Sequence, residues 1–199
     1  MRTLTATFLI GLGLLMLAGC GTTKPSQFYL MTPTIDTADV QSATENPAVG
    51  IGPITLPAYL DRPEIAQRLG DNQISYAGSH RWAEPLRVSF TRVLGENIGA
   101  MLPTDRITIH PWGRSVSIDY QVEVDVSRFD SDTSGNVVLA AGWKVTRIVD
   151  NSTLAHKKTR YTETASGLDY AAIVAAQSRA IGKLGREITE QIGVGDNSK

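Results

Sequence analysis

Between Val116 and Val126 apolar and polar side chains alternate without a break. Val116, Ile118, Tyr120, Val122, Val124 and Val126 fall on one side, and Ser117, Asp119, Gln121, Glu123 and Asp125 on the other. A period of two over that length specifies a strand with one face in a core and one in water, as in antiparallel sheets. Asp130 to Gly135 reads as a polar turn. Asn136 to Val149, with Trp143 at its middle, reads as a second long strand. After a turn at Asp150 to Thr153, His156 to Ala165 reads as a third, more polar strand. The three form a meander, in which Lys144 and Arg147 can meet the acidic face of the first strand across the ladder. On that basis Asp119, Glu123 and Asp125 are a solvated, ion-paired face rather than a catalytic carboxylate cluster.

Two segments change to helical spacing. From Pro85, which suits a first helical turn because its missing N–H costs nothing there, Leu86, Phe90, Val93, Leu94, Ile98, Met101 and Leu102 recur three and four apart. This predicts a helix over about 85–102, stopped by Pro103. Asp169 can cap a last helix, over about 170–191, with Ile173, Val174, Ala180, Ile181, Leu184 and Ile188 as its apolar stripe. Gly182 and Gly185 weaken that helix but permit close packing. Before the first helix, Gln27 to Met31, Val49 to Thr55 and Gln73 to Tyr76 read as short strands, and Arg106 to His110 follows it as another. Pro53 places Val49 to Thr55 at an edge or ends it. Thr32 to Ala48 reads as a flexible polar excursion, and Leu56 to Ile65 as an ordered, packed, proline-rich loop. The expected class is α+β: a mixed, mostly antiparallel sheet with a three-stranded meander and two helices packed on one face.

The N-terminus carries a different signal. Arg2 precedes ten uncharged residues, Phe8 to Leu17, and then Leu17-Ala18-Gly19-Cys20. The run is too short for a mature membrane span, which needs roughly 20 residues, and fits the apolar part of a secretory leader. Small residues before the single cysteine of the chain form a lipobox. Residues 1–19 are thus a lipoprotein signal peptide and Cys20 the lipidated first residue. Residues 20–26 are a tether of roughly 20 Å at full extension, residues 27–192 one domain, and 193–199 a flexible tail. Gly21, where aspartate would retain a lipoprotein at the inner membrane, directs this one to the periplasmic face of the outer membrane. With Cys20 acylated, no thiol remains for a disulfide or a thiolate metal site.

The other classes of chemistry are poorly served. Loss of Arg2 from 19 Lys and Arg against 20 Asp and Glu leaves a formal charge of −2, and no basic block points to nucleic acid. There is no Gly-x-Ser-x-Gly, no His-Glu-x-x-His and no phosphate-binding Gly-rich loop. His80, His110 and His156 lie far apart with no ligand spacing, so no metal, no cofactor beyond the lipid on Cys20 and no catalytic residues are assigned. The packed loop stands out instead. Tyr59, Leu60 and Arg62, framed by Pro57 and Pro63, and Trp82 before the first helix, combine the aromatic and arginine types enriched at binding hot spots. A competing reading has Tyr59 and Leu60 capping the core while Arg62 pairs with Asp61 or Glu84.

The block Val49-Gly-Ile-Gly-Pro-Ile-Thr-Leu-Pro-Ala-Tyr-Leu-Asp-Arg-Pro-Glu-Ile65 resembles the PqiC/YmbA family of auxiliary lipoproteins. So do Arg81-Trp-Ala-Glu-Pro-Leu86, the following Val93-Leu94 and Asn97, and Phe28-Tyr29-Leu30. The resemblance implies a non-enzymatic, outer-membrane lipoprotein of a Pqi-type transport system. Its partner would be a PqiB-like MCE-domain tunnel protein that moves lipids or hydrophobic molecules between the membranes. A homo-oligomeric ring would suit a tunnel mouth. The residues alone leave open a pilotin-like assembly lipoprotein, a lipid carrier with its own apolar cavity, and a periplasmic hydrolase.

Overall fold

The computed structural model describes residues 25–34, 46–102 and 104–196. The leader, Cys20, most of the tether, residues 35–45, Pro103 and the last three residues lie outside them. The described chain runs β1 (Gln27–Tyr29), β2 (Val49–Thr55), a 3-10 turn (Ala58–Leu60), β3 (Glu64–Gly70) and β4 (Gln73–Trp82). It continues through α1 (Leu86–Met101), β5 (Ile107–Ile109), β6 (Tyr120–Asp132), β7 (Asn136–Arg147), β8 (Ser152–Thr164) and α2 (Tyr170–Asp196).

The sheet is built around β6. One flank pairs antiparallel with β7, and β7 with β8, which is the expected meander and the longest ladder in the fold. The other flank is shared end to end. β2 runs parallel to Tyr120–Asp125, and β3 runs parallel to Ser131–Asp132. β5 extends the first half beyond β2; β4 and then β1 extend the second half beyond β3. The mixed, mostly antiparallel α+β architecture therefore holds, while the strand expected from the alternation is central rather than one arm of a simple meander.

Several boundaries shift, each for a physical reason. Residues 116–119 alternate but are not strand. β7 ends at Arg147, opposite Tyr120, and β2 begins at Val49, also opposite Tyr120, so no strand continues beside them, and Ile148 beyond β7 contributes one amide bond to Asp119 O at 2.8 Å. They are held as a lead-in, with the amides of Asp119 and Tyr120 both donating to Ala48 O. Asp130 and Ser131 belong to β6 and are buried, because a register shift between Val126 and Arg128 resets the pleat. The turn comes after them. Asp132 Oδ1 accepts from the amides of Ser134 and Asn136, each at 2.8 Å, and Gly135 adopts φ +81°, which suits glycine. The packed loop ends before Glu64: Ile65 is in β3, and the expected 73–76 strand is a ten-residue β4. That hairpin hides in the sequence because much of β4 is only half-buried and carries Gly78, Ser79 and His80. Pro53 is not on an edge strand. It falls past Ile109, where β5 has ended, and inside a register shift against β6, so no ladder bond is lost there.

Both helices lie on one face. α1 starts at Leu86, with Pro85 just before it, and all seven stripe residues are buried. Asp169 caps α2 by accepting from the Ala172 amide at 2.9 Å. α2 runs on to Asp196, past the expected 191 and into the expected tail. Its stripe packs on β6, β7 and β8, while α1 covers β2 and β5. Phe90 of α1 meets Phe129 of β6 edge-on at 5.4 Å, and Trp143 is buried with its indole N–H on Thr159 Oγ1 at 3.0 Å. On the helix-free face Lys144 pairs with Glu123 as expected. Arg147 instead reaches back to Asp150 at 3.4 Å.

Gly182 shows why α2 tolerates glycine. A Cβ there would sit 2.3 Å from Thr34 Oγ1 and 3.2 Å from Thr34 O. Thr34 is itself fixed by its amide on Asn97 Oδ1 at 2.9 Å. Gly182→Val therefore overpacks this contact at a cost of about 1–3 kcal/mol. Thermal unfolding checks it: an unchanged or raised Tm would mean that the Thr34 segment moves aside freely.

Candidate docking site

Because β2 and β3 run in the same direction along one flank of β6, the chain between them must bridge a gap in the ladder. The proline-rich segment is that bridge. Leu60 N bonds Pro57 O at 2.9 Å, closing the 3-10 turn. Tyr59 reaches down to Asp130, the residue of β6 at the gap, and donates its hydroxyl to Oδ2 at 2.8 Å.

Asp130 is fully buried and has two further partners. Arg68 donates Nη2 to Oδ2 at 2.9 Å and Nε to Oδ1 at 3.2 Å, and Arg128 donates Nε to Oδ1 at 2.9 Å. The bridge, β3 and β6 thus share one carboxylate. Burial, followed by the hydrogen bond to Asp130, pushes the Tyr59 hydroxyl up to about 12, so it remains a donor at every physiological pH. The hydrogen bonds that Arg68 donates to Asp130 likewise raise it above its ordinary range. Tyr59→Phe leaves one carboxylate lobe short of a donor and costs about 1.5–3 kcal/mol. Tm should fall by a few degrees, and no change would show that the hydroxyl is replaced by water.

Beyond the bridge, two distant stretches close on one another. Trp82 N bonds Pro63 O at 2.8 Å, and Glu64 stands opposite Arg81 in the β3–β4 register. Asp61, Arg62 and Pro63 form one wall of a groove of about 280 Å³, and Trp82 through Leu86 form the other. Both walls are braced. Arg62 is exposed and lies with its guanidinium 4.5 Å from the Tyr76 ring centroid, its Nε 3.7 Å from Glu64 Oε2. Tyr76 in turn donates to Tyr59 O at 3.2 Å. Behind the second wall Arg92 holds Glu84 at 2.9 Å and donates to Met31 O at 3.1 Å.

The sequence-predicted residues separate by role. Arg62 faces the groove and pairs with Glu64, not with Asp61 or Glu84. Trp82 lines the groove but is only 6% exposed, and Leu60 is 3% exposed. Tyr59 is half-buried beneath the segment. Asp61, Glu84 and the Asp130 cluster were not singled out from the sequence. Asp130 carries no local signal of burial, because the strand already alternates acids with apolar residues and its register shifts between Val126 and Arg128. Two of the three histidines serve packing: His80 Nδ1 meets the Tyr29 hydroxyl at 2.8 Å and its ring stacks on Tyr170 at 4.1 Å, while His110 meets Trp112 edge-on at 5.2 Å; His156 is exposed on β8. The groove brings together a guanidinium, two carboxylates, prolines and an indole face. That set suits holding an extended peptide by ion pairs and apolar contact.

Known proteins place this architecture. A crystal structure of a Xanthomonas campestris protein of the DUF330 family has the same fold at TM-score 0.71 and 18% identity, covering 87% of this chain and 100% of that one. A crystal structure of an uncharacterized protein gives TM-score 0.69 at 17% identity, covering 85% of this chain and 99% of that one. Among curated proteins none matches the sequence. The family pattern described as ABC-type transport auxiliary lipoprotein component matches residues 29–189, which takes in both groove walls, the bridge and the Asp130 cluster. The chain therefore belongs to the ABC-type transport auxiliary lipoprotein components.

Proposed function

We propose that this lipoprotein is held by acylated Cys20 on the periplasmic face of the outer membrane. There it docks the distal end of a Pqi-type, MCE-domain transport assembly that moves lipids or hydrophobic molecules between the membranes. It works by binding: the groove offers a guanidinium, an indole, prolines and the carboxylates of Asp61 and Glu84 as contact groups. The observation that carries the reading is the groove itself. The two most family-like blocks, some twenty residues apart in sequence, form its opposite walls, and the fold braces both from behind. A rigid, preorganised groove loses little ordering entropy on receiving a partner segment. Arg62 and Trp82 are the contact residues; Tyr59 and Leu60 support them from beneath. A ring of copies around the tunnel mouth fits the same role.

The test is a crosslinked pull-down of the full-length lipoprotein from intact envelopes, read by mass spectrometry. The expected catch is an MCE-domain protein with its inner-membrane partner. Recovery of unrelated outer-membrane machinery alone would replace the transport role with that of an assembly lipoprotein.

A further inference from the structure

The residues next to the anchor hold an unexplained apolar surface. Among the described residues β1 is an edge strand, paired with β4 alone. Its central residue Phe28 is 65% exposed, and Leu30, two residues on and therefore on the same side, is 48% exposed. Tyr29 between them points the other way, to His80 and Tyr170. The chain after Leu30 is fixed to α1 by Arg92, which donates to Met31 O at 3.1 Å. Val88 stands one turn before Arg92 on that helix and is 45% exposed. Exposed Arg87 beside it makes no ion pair among the described residues. Large apolar groups standing in water at a sheet edge mark a contact surface when they cluster.

The length of chain leading to them says what they contact. Seven residues separate Cys20 from Phe28, and the eight steps along the chain reach at most roughly 28 Å. A domain of this size is about 40 Å across. The tether is thus shorter than the domain, and the β1 edge is the part of the domain held nearest the lipid. A cation next to apolar side chains matches phosphate headgroups above acyl chains.

We propose that Phe28 and Leu30 seat the β1 edge in the headgroup layer of the membrane that carries the anchor. This rests on the reading of Cys20 as acylated. The seat would fix the orientation of the domain, and so the direction in which the Arg62–Trp82 groove is presented, where the tether alone would let it swivel.

The test uses the full-length acylated protein, in which Cys20 is blocked. Phe28→Cys, Leu30→Cys and Val149→Cys each then supply one free thiol for the fluorophore NBD; Val149 is exposed in the β7–β8 turn. The labelled proteins are placed on phosphatidylethanolamine–phosphatidylglycerol vesicles with and without a doxyl-labelled lipid. The doxyl lipid should quench the labels at 28 and 30 several-fold more than the label at 149, and Leu30→Glu should reduce quenching at 28. Equal, weak quenching at all three positions overturns the seat while leaving the anchor intact. Failure of the protein to float with the vesicles overturns anchor and seat together. A blue-shifted label at 28 that lipid-borne doxyl does not quench means that another protein surface covers the residues, and also overturns the seat.

Discussion

Cys20→Ala, expressed behind a cleavable non-lipoprotein leader in place of residues 1–19, moves the protein from the membrane pellet to the soluble periplasmic fraction and leaves its Tm unchanged. The leader must be exchanged because an unprocessed apolar leader could itself hold the chain on a membrane. The size of the effect follows from the anchor. Each buried acyl CH2 contributes about 0.8 kcal/mol, one chain gives marginal binding, and two or more give stable attachment. The β1 seat cannot substitute for that: fully burying a Phe or Leu contributes only about 1.5–3 kcal/mol, and both are partly buried by the fold already. Tm is unaffected because Cys20 precedes β1 by six residues of tether and contributes nothing to the core described above. Retention of the variant in the membrane pellet would mean that the protein is held there by something other than acylation. Fractionation with detergent and high-salt washes separates those cases.

Asp130→Ala is the most damaging single change inside the domain. The carboxylate is fully buried and is shared by Tyr59, Arg68 and Arg128. Removing it strands a phenol and two guanidiniums around a hole. Breaking a buried ion pair by deleting one partner costs about 3–5 kcal/mol. Both arginines keep some solvent contact, with side chains 21% and 23% exposed, so the lower end applies. For a domain of this length about 3 kcal/mol corresponds to a fall in Tm of about 6–12 °C. The damage should also be local: the bridge and β3 lose their hold on β6, so amide exchange should accelerate first at Ala58–Leu60 and Glu64–Gly70. Asp130→Asn keeps the shape and one acceptor and should cost less. A fall of under 2 °C for the alanine variant would show that the arginines are satisfied by water and that the cluster does not hold the bridge in place.

The parts of the fold that could be read from the sequence are those written in periodicity. The stripe of α1, the stripe of α2, the cap at Asp169 and the ladder through Trp143 follow from spacing alone. What stayed hidden depends on pairing partners far along the chain. Nothing local says that residues 116–119 alternate without a strand beside them, because that is decided by where β2 and β7 happen to stop. Nothing local says that Asp130 is inside, because a bulge after Val126 changes which side faces the core. The parallel pairing of β2 and β3 on one flank of β6 is likewise a long-range fact, and it turns the proline-rich loop into a bridge. The proposed docking residues were half legible. Arg62 and Trp82 carry recognisable interface chemistry, but their convergence on one groove depends on the β3–β4 hairpin, whose muted alternation concealed it. Tyr59 has the same residue-type signal as a hot spot, yet its hydroxyl is committed to Asp130.

The docking claim is tested most directly by placing a photoreactive side chain at Ala83, an exposed residue of the groove wall, and a second one at Val149 as a distant control. Both full-length proteins are irradiated in intact envelopes and their adducts identified by mass spectrometry. The account predicts that the Ala83 position captures an MCE-domain protein and that the Val149 position does not. An adduct to that partner from Val149 with none from Ala83 would contradict the groove, and adducts from neither to any transport component would contradict the docking role itself.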